Sequence, residues 1–391
     1  MNDIGEWGAE TPLTASIDPR NNLSTIKVLF TKRFEWYIGC EGTSTIPPEF
    51  PWTVGLSPTS RCSRQCYFCS HTRRNELGHF LSQDIMAEIH RDLRLLGVKG
   101  VIYAGGGDPF DWEHNLIPFI EEASSFCSVG IDTNGVLANR ILQSQVALKI
   151  FYITFALLGH NRELYREVCG RDQFSIVDEN IRRFTALKRK NQCRYPHINV
   201  KLSVNRRSYS YLAEMWKYAR TLGTDNVFAR CMNNFELAQN VELTPAQKQE
   251  LYNIAVTKLG LPSLYAHTFA QNLVFPGKPP NDIELPTRCW SVVLGHNLGV
   301  KQDGECFLCV PTAGLSQYSI GNVNRRSIRE LWGSDRHLEV IKHLDTRMQS
   351  GECDITKCRH FRLNLVIEGA LKGRYQCPDK SLFMENHAPF L

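Results

Sequence analysis

The feature that most constrains this chain is a group of three closely spaced cysteines, Cys62, Cys66 and Cys69, directly after a short apolar stretch. Their C-x3-C-x2-C spacing suits a cubane [4Fe-4S] cluster, because thiolates are the usual ligands of such clusters. Three cysteines for four irons would leave one iron open to another molecule. A structural zinc site is the alternative, although zinc sites normally use two paired Cys-x2-Cys or His motifs that close a tetrahedron.

An aromatic residue, Phe68, lies directly before the third cysteine. The segment resembles the signature of the radical S-adenosylmethionine (SAM) superfamily, in which an aromatic residue occupies that position. The resemblance implies that the three cysteines hold a [4Fe-4S] cluster, that SAM binds its open iron, and that Phe68 lies beside this cofactor. It also implies reductive cleavage of SAM to a 5′-deoxyadenosyl radical, which removes a hydrogen atom from a substrate.

Length, charge and hydropathy narrow the class of protein. The 391 residues, 42% hydrophobic and 22% charged, are ordinary for a globular chain longer than one typical domain. A net charge of +5 is too small to predict a nucleic-acid partner without a basic stripe. We find no signal peptide and no run of about eighteen apolar residues. We therefore expect no membrane partner and a cytoplasmic location, where the 14 cysteines would be metal ligands or reduced core thiols.

Short apolar runs alternate with longer helical patterns from residue 51 onwards, which predicts βα units around a parallel sheet. The predicted strands lie near 52–57, 99–104, 128–132, 150–156, 197–203 and 225–230. The predicted helices lie after Ser82 and near 112–126, 176–190 and 208–222. Six such repeats indicate an α/β fold, a partial (β/α)6 TIM-type barrel, because a closed eight-unit barrel needs about 250 residues. We expect an N-terminal extension at 1–50, the barrel at 51–270 and a cluster-binding domain at 271–391.

A glycine-rich turn, Gly105, Gly106 and Gly107 followed by Asp108, comes directly after the second predicted strand. Such a turn is by itself weak evidence for a site, since most are plain turns. At the carboxyl end of a parallel strand, however, it lies where ligands gather in α/β folds. It resembles the radical SAM motif that binds the amino group of SAM, with Asp108 in the place of the common glutamate.

Further SAM contacts are implied by the same resemblance. The turn that contains Thr133 and Asn134 follows the third strand, and Thr154, Ser203 and Asn205 lie on or after the fourth and fifth strands. Isolated cysteines are most often small buried hydrophobes. One of them, Cys231, follows the last predicted strand of the barrel, and we treat it as a candidate hydrogen-atom donor to a product radical.

The C-terminal third contains a second group of cysteines. Its members are Cys289, Cys306, Cys309, Cys353, Cys358 and Cys377. The spacing of Cys289, Gly304 and Cys309 resembles the start of a SPASM domain, the auxiliary-cluster domain of many radical SAM enzymes. A shortened, twitch-like version implies one auxiliary [4Fe-4S] cluster on Cys289, Cys309, Cys353 and Cys358. Cys306 and Cys377 are substitute ligands or ligands of a second cluster, and a closed zinc knuckle is the alternative.

Enzymes with a SPASM domain most often mature ribosomally made peptides, so the resemblance predicts crosslinking, epimerisation or residue excision in a peptide. No leader-binding domain is recognisable in the N-terminal extension, so we expect a separate recognition protein. We also expect a flavodoxin- or ferredoxin-type reductant. The alternatives are a small-molecule dehydrogenase or epimerase acting on a sugar or aminocyclitol, and a nonenzymatic metal-binding scaffold.

Overall fold

The structure is a computed structural model that describes residues 49–69, 78–232, 240–260, 286–353, 358 and 360–372. The predicted N-terminal extension therefore lies outside the described residues, apart from its last two. Within the described ranges, no helix combines the length and the apolar character needed to cross a membrane.

One nine-stranded sheet organises the described chain, in the order β6-β5-β4-β3-β2-β1-β7-β8-β9. The strands are β1 Thr53–Leu56, β2 Gly100–Tyr103, β3 Ser128–Thr133, β4 Tyr152–Leu157, β5 His197–Val204, β6 Asn226–Cys231, β7 Asn297–Val300, β8 Glu305–Phe307 and β9 Ser319–Asn322. Strands β1 to β6 pair in parallel with their sequence neighbours, as strand-helix repeats require. The six predicted strands are confirmed, each within two residues of its predicted bounds.

Eleven α-helices lie in the described ranges. They are α1 Gln83–Leu96, α2 Ile117–Ser124, α3 Asn139–Leu142, α4 Arg162–Cys169, α5 Phe174–Lys190, α6 Leu212–Arg220, α7 Pro245–Thr257, α8 Trp290–Val293, α9 Ile328–Leu331, α10 Asp335–Gln349 and α11 Phe361–Leu371. Helix α1 begins as predicted, because the Ser82 side chain accepts a hydrogen bond from the Ile85 N–H. The helices predicted near 112–126 and 208–222 are shorter than expected, since irregular turns precede α2 and α6.

The strands of the barrel have two different faces. Alternate residues such as Val101, Ile131, Phe155 and Val200 are fully buried in the layer shared with the helices. On the opposite face, each strand carries a half-buried residue in its second half. We call this the lumen face, and these residues are Gly55, Ile102, Asp132, Ala156, Lys201 and Arg230. The lumen face is therefore the less tightly covered side of the sheet.

Strand β7 extends the barrel sheet from the C-terminal third of the chain. It pairs in parallel with β1, so that β1 lies between β2 and β7. Backbone hydrogen bonds from Ser57 N to Val300 O and from Thr53 N to His296 O continue this pairing at 2.9 and 3.0 Å. The hairpin strands β8 and β9 then add antiparallel pairs. The strand that precedes the first cysteines is thus held directly by the region that carries the second group.

Candidate active site at the carboxyl ends of the strands

The three cysteines of the C-x3-C-x2-C motif lie on one loop after β1, and we call residues 59–69 the cysteine loop. Burial raises the pKa of the Cys62 thiol to about 11 and that of Cys66 to about 12. The pKa of Cys66 is raised further by Cys62 and Cys69, so the three thiols lie close enough to act on one another. Thiols that resist ionisation in this way need a strongly electrophilic partner, such as iron, to become thiolate ligands.

A buried arginine, Arg64, supplies positive charge inside the cysteine loop. Its side chain is 3% exposed, its Nη2 donates to the Asn134 carbonyl, and it lowers the pKa of both Cys62 and Cys66. Its Nε is buried without a hydrogen-bond partner among the described residues. A buried cation beside thiols is costly unless negative charge is close by. The donor set therefore fits an anionic, thiolate-ligated cluster.

The glycine turn packs directly against the cysteine loop. The Gly107 N–H donates to Thr59 O at 2.7 Å, and the Asp108 N–H donates to Arg61 O at 2.8 Å. A Cβ added to Gly107 would lie only 1.7 Å from Arg61 O. Only glycine permits this approach of two backbones, so the turn and the loop form one unit at the carboxyl ends of β1 and β2.

The buried carboxylate of Asp108 joins that unit to the turn after β3. It accepts hydrogen bonds from Phe110 N at 3.0 Å, from Thr133 Oγ1 at 2.9 Å and from Asn134 N. Burial raises its pKa to about 6, although the bond from Asn134 opposes the shift. These contacts give Asp108 and Thr133 a positioning role. Binding of a SAM ammonium group at Asp108 stays a prediction.

The side chain of Asn134 faces the first cysteine. Its Nδ2 lies 3.5 Å from Cys62 Sγ and 3.2 Å from Ser63 Oγ, while its Oδ1 accepts from Val136 N at 2.8 Å. Ser63 is held in turn by Asp111, whose Oδ2 accepts from the Ser63 N–H at 2.7 Å and from its hydroxyl at 2.9 Å. The third strand thus places an amide donor on the sulfur of a predicted ligand.

The end of β5 reaches the opposite side of the cysteine loop. The Tyr67 hydroxyl donates to Asn205 Oδ1 at 2.7 Å, and the Arg207 guanidinium lies 3.9 Å from the centroid of the Tyr67 ring. Phe68 packs edge-on against Tyr67 with centroids 5.7 Å apart. The carbonyl of Ser203 accepts from Asn205 Nδ2 at 3.1 Å. Predicted residues from β1 and β5 therefore meet at this end of the sheet.

Two predicted site residues lie away from the cysteine loop. Thr154 lies in the middle of β4 on the same face as Asp132, where its Oγ1 is 3.4 Å from Asn199 Nδ2. Cys231 is buried in the hydrophobic layer at the end of β6, on the other face of the strand from Arg230. Its role as a hydrogen donor stays a prediction that this packing does not favour.

Three cysteines of the C-terminal group lie near one another. Burial raises the pKa of Cys289 far above its usual value, and both Cys309 and Cys358 raise it further. The segment around Cys289 is held by helix α10, because Asp345 Oδ1 accepts from Cys289 N at 2.8 Å and Asp345 Oδ2 accepts from Arg288 Nε at 3.0 Å. These cysteines thus form a second potential ligand set.

Helix α11 holds the same segment from its other side. Glu368 accepts from Trp290 Nε1 at 2.7 Å and from Thr287 Oγ1 at 2.7 Å. Asn364 accepts from Ser291 N at 2.9 Å, and its Nδ2 lies 4.0 Å from Cys289 Sγ. Two helices therefore set the position of the Cys289 thiol.

The remaining C-terminal cysteines have separate environments. Cys353 is half-buried after α10, and its N–H donates to Arg347 O at 3.2 Å. Cys306 is fully buried on β8, where burial raises its pKa and the nearest charges are Glu305 and Asp303. Cys377 lies outside the described residues.

Among the described residues, no three histidine, cysteine, aspartate or glutamate side chains stand close enough together to hold a single metal ion. A cubane cluster places its ligands on separate irons, so its donors need not converge on one point. The two ligand sets therefore stay predictions, supported by the chain positions and electrostatic contacts of their cysteines.

Several residues at the site were not singled out from the sequence. Arg64 and Tyr67 occupy variable positions of the cysteine motif, and their charge and ring were the only signals available. Gln302, 1% exposed, lies after β7 against the glycine turn, since a Cβ on Gly106 would be 2.7 Å from its Oε1. No local pattern predicts that contact, because it depends on β7 pairing with β1.

Comparisons with known families agree with this arrangement. The radical SAM superfamily matches residues 56–200, and the SPASM iron-sulfur cluster-binding domain matches residues 289–360. Together these matches contain the cysteine loop, the glycine turn and the Cys289, Cys309, Cys353 and Cys358 group.

Individual relatives are distant in sequence. The tungsten-containing aldehyde ferredoxin oxidoreductase cofactor-modifying protein of Pyrococcus furiosus is 22% identical over 306 residues, which is 72% of this chain and 81% of the relative. Streptococcus suis SuiB bound to precursor peptide SuiA has a TM-score of 0.57 at 14% identity, covering 86% of this chain and 74% of SuiB. Native anSMEcpe with bound AdoMet and Cp18Cys peptide has a TM-score of 0.53 at 15% identity, covering 80% and 87%. At these identities, the two structures show a shared fold.

Proposed function

The chain is a radical SAM enzyme with a C-terminal SPASM domain, and we propose that it modifies a ribosomally made peptide by removing a hydrogen atom from one of its carbons. The observation that carries the proposal is the meeting of the cysteine loop, the glycine turn and Asn134 at the carboxyl ends of parallel strands. When bound, a reduced [4Fe-4S] cluster and SAM supply a 5′-deoxyadenosyl radical.

Each part of the site has a definite task in this proposal. Cys62, Cys66 and Cys69 hold three irons, and Arg64 balances their negative charge from within the loop. The glycine turn offers backbone groups to SAM, while Asp108 keeps that turn in register with Asn134. The barrel shields the reacting atoms from water and holds the substrate carbon at about 3–3.5 Å from its partner, as a near-attack geometry requires.

A peptide substrate is supported by the fold that this chain shares with two peptide-bound structures. SuiB was solved with its precursor peptide SuiA, and anSMEcpe with the Cp18Cys peptide. The outcome of hydrogen abstraction, which is a crosslink, an inverted stereocentre or an excised residue, belongs to the proposal. So does a separate protein that recognises the leader of the peptide.

We further propose that the C-terminal cysteines hold one auxiliary [4Fe-4S] cluster. Cys289, Cys309, Cys353 and Cys358 are its ligands, and four cysteines fill every iron. A fully ligated cluster has no open position for a substrate, so it serves in electron transfer. Its electrons pass to or from a flavodoxin- or ferredoxin-type protein. The division between the barrel and this domain lies near residue 270 in the same proposal.

A small-molecule substrate is the second candidate. The observation that favours it is the Pyrococcus furiosus relative, whose name describes a cofactor-modifying protein and whose match spans 72% of this chain. A dehydrogenase or epimerase that acts on a sugar or aminocyclitol would need no leader-recognition protein. The site itself serves both candidates, because its cluster and SAM residues are independent of the substrate.

The test uses the full chain, reconstituted anaerobically with iron and sulfide. We expect about eight irons, one cubane for each ligand set. Incubation with SAM, dithionite and a pool of randomised synthetic peptides should yield 5′-deoxyadenosine above the rate without peptide. Mass spectrometry in D2O then separates loss of two hydrogens, which indicates a crosslink, from uptake of one deuteron, which indicates epimerisation.

A Cys66→Ala variant is the control for background cleavage. Stimulation by sugars or aminocyclitols but not by peptides would replace the first candidate with the second. Zinc in place of iron, or absence of 5′-deoxyadenosine with every substrate, would contradict the enzymatic proposal altogether.

A further inference from the structure

The lumen face carries charge towards the carboxyl ends of the strands. Asp132 on β3, Lys201 on β5 and Arg230 on β6 are all half-buried, whereas their strand neighbours on the helix side are fully or almost fully buried. A charged residue inside a barrel loses hydration and must be compensated. These three residues are therefore unlike the apolar side chains that fill the core.

Arg230 lies at the same end of the barrel as the cysteine loop. It is the penultimate residue of β6 and is paired in register with Ser203 of β5. Two residues after Ser203, Asn205 accepts the hydrogen bond from Tyr67 of the cysteine loop. The guanidinium thus projects from the rim where the cluster and SAM residues meet.

The guanidinium of Arg230 has five donors and makes no hydrogen bond or ion pair with the residues that the structure describes. Burial lowers its pKa, and Asp132 acts in the opposite direction through space. Asp132 lies three strands away in the sheet order, so the sheet must curl to bring the two charges within reach. Arg230 therefore faces the enclosed side of the sheet, and its donors are unpaired within the described part of the chain.

A polar row crosses the lumen face in register with Asp132 and below Lys201 and Arg230. Asn226 Nδ2 donates to Asn199 Oδ1 at 2.9 Å, and Asn199 Nδ2 lies 3.4 Å from Thr154 Oγ1. Deeper still, the Tyr152 ring covers Gly130, where an added Cβ would be 2.2 Å from the ring. A ligand that enters from the carboxyl ends would stop at this floor, with Lys201 and Arg230 above it.

We propose that the lumen face binds an anionic oxygen group of the substrate, a carboxylate or a phosphate, with Arg230 as its principal ligand and Lys201 as a second cation. The planar guanidinium matches both groups in geometry. Asp132 offsets one of the two positive charges, which leaves the site with a net positive charge. The inference rests on the proposed function and deepens it, because it names the chemical class of substrate. A peptide would supply a carboxylate through Asp, Glu or its C-terminus, and a small metabolite would supply either group.

The experiment measures binding of radiolabelled glutarate and inorganic phosphate to the reconstituted full chain by equilibrium dialysis, with glutaramide as neutral competitor. Saturating SAM is present throughout, so that its own carboxylate site is filled. We expect Arg230→Gln to weaken binding of the preferred anion about tenfold, the effect of one charge-assisted hydrogen-bonded contact. Asp132→Asn should tighten it, because it removes the opposing charge, and Arg182→Gln on the exposed face of α5 is the matched control.

The outcomes distinguish a carboxylate from a phosphate ligand, and they distinguish failure of this inference from failure of the proposed function. Binding of glutarate alone assigns a carboxylate, and binding of phosphate alone assigns a phosphate. Equal competition by glutaramide, no loss with Arg230→Gln in a variant of normal iron content and circular dichroism, or weaker binding with Asp132→Asn would overturn the inference. If wild type produces 5′-deoxyadenosine but binds neither anion, only this inference fails. If it binds the anion but produces no 5′-deoxyadenosine under any condition, only the proposed function fails.

Discussion

The two cysteine regions of the molecule are held in place by different means. The cysteine loop is fixed by neighbouring turns at the ends of strands, chiefly the glycine turn and Asn134. The Cys289 segment is fixed by carboxylates that project from two helices, Asp345 and Glu368. The first arrangement leaves all three thiols half-buried, so that another molecule can approach them. The second encloses its thiol, which suits a ligand set that only stores or passes electrons.

Each region nevertheless directs one asparagine amide towards a cysteine sulfur. Asn134 Nδ2 lies 3.5 Å from Cys62 Sγ, and Asn364 Nδ2 lies 4.0 Å from Cys289 Sγ. Hydrogen bonds to sulfur are one of the determinants of cluster potential. Similar electronic tuning of a cluster can therefore be built on strand ends or on helices.

The largest expected difference comes from removing one ligand in each region. Cys62→Ser should abolish 5′-deoxyadenosine formation, whereas Cys289→Ser should keep SAM cleavage and lose product formation. Each variant should lose about four irons, because each ligand set holds its own cubane. Iron counting and chromatography of 5′-deoxyadenosine check this. Equal loss of SAM cleavage in both variants would contradict separate roles.

Glycine substitutions should affect the two regions unequally. Gly107→Ala would place a Cβ 1.7 Å from a backbone oxygen, so we expect a loss of about 3 kcal/mol in unfolding free energy and poor cluster loading at the cysteine loop. Gly304→Ala meets only the side-chain ends of Asn322 and Asn324, and its φ of +85° costs about 1–2 kcal/mol. Urea unfolding and visible absorption of the cluster measure both effects. Comparable losses in the two variants would show that backbone contact does not govern the cysteine loop.

The asparagine amides should tune the two clusters to different degrees. Asn134→Ala removes a donor at 3.5 Å, and we expect the midpoint potential of the SAM-binding cluster to fall by roughly 40 mV, equivalent to about 1 kcal/mol. Asn364→Ala should shift the auxiliary cluster less, since its amide is farther from sulfur. Redox titration followed by electron paramagnetic resonance gives both potentials. A larger shift of the midpoint potential in Asn364→Ala than in Asn134→Ala would contradict this prediction.

The smallest expected effects concern pH. Burial lowers the pKa of His90 on α1 and of His337 on α10 to about 4. Both histidines stay neutral in the folded state, whereas in the unfolded chain each histidine binds a proton near the ordinary histidine pKa of about 6.5. Stability is therefore lost as pH falls from about 6.5 to about 4, by roughly 2 kcal/mol per histidine at pH 5.

Urea unfolding at pH 7 and pH 5 measures this loss in wild type, His90→Phe and His337→Phe. Each substitution should reduce the loss of unfolding free energy between pH 7 and pH 5, whatever it does to the unfolding free energy at pH 7. His90 also bonds Tyr103 through Nε2 at 2.9 Å, so only the difference between the two pH values is diagnostic. An unchanged difference would mean that the replaced histidine titrates normally in the folded protein.

Local patterns were sufficient for the barrel strands and for the placement of the first three cysteines on one loop. The alternation in Ile198, Val200 and Leu202 predicts one face of β5, and the motif spacing alone brings Cys62, Cys66 and Cys69 onto one loop. Short-range signals succeed here because strand alternation and loop spacing are properties of neighbouring residues. Helix bounds were less accurate near α2 and α6, where turns replace part of the apolar pattern.

Long-range pairing decided what the local patterns left open. Cys306 and Cys309 are only three residues apart, and no local signal distinguishes them. Nevertheless, Cys306 is buried on β8, whereas Cys309 follows that strand and lies near Cys289. The burial of Cys306 depends on which face of β8 packs inwards, and that is set by the pairing of β8 with β7 and β9.

The sequence by itself determined the chemistry of this protein: an open-iron cysteine motif, a second cysteine group and a parallel βα framework, all of which are written in residue type and spacing. Only the tertiary structure decided that β7 lies against β1, that Gln302 reaches the glycine turn, and that Arg230 and Asp132 share the lumen face. The physical reason is that these contacts join residues far apart in the chain. They form only when strands from distant parts of the chain come together in one sheet, so no local pattern encodes them.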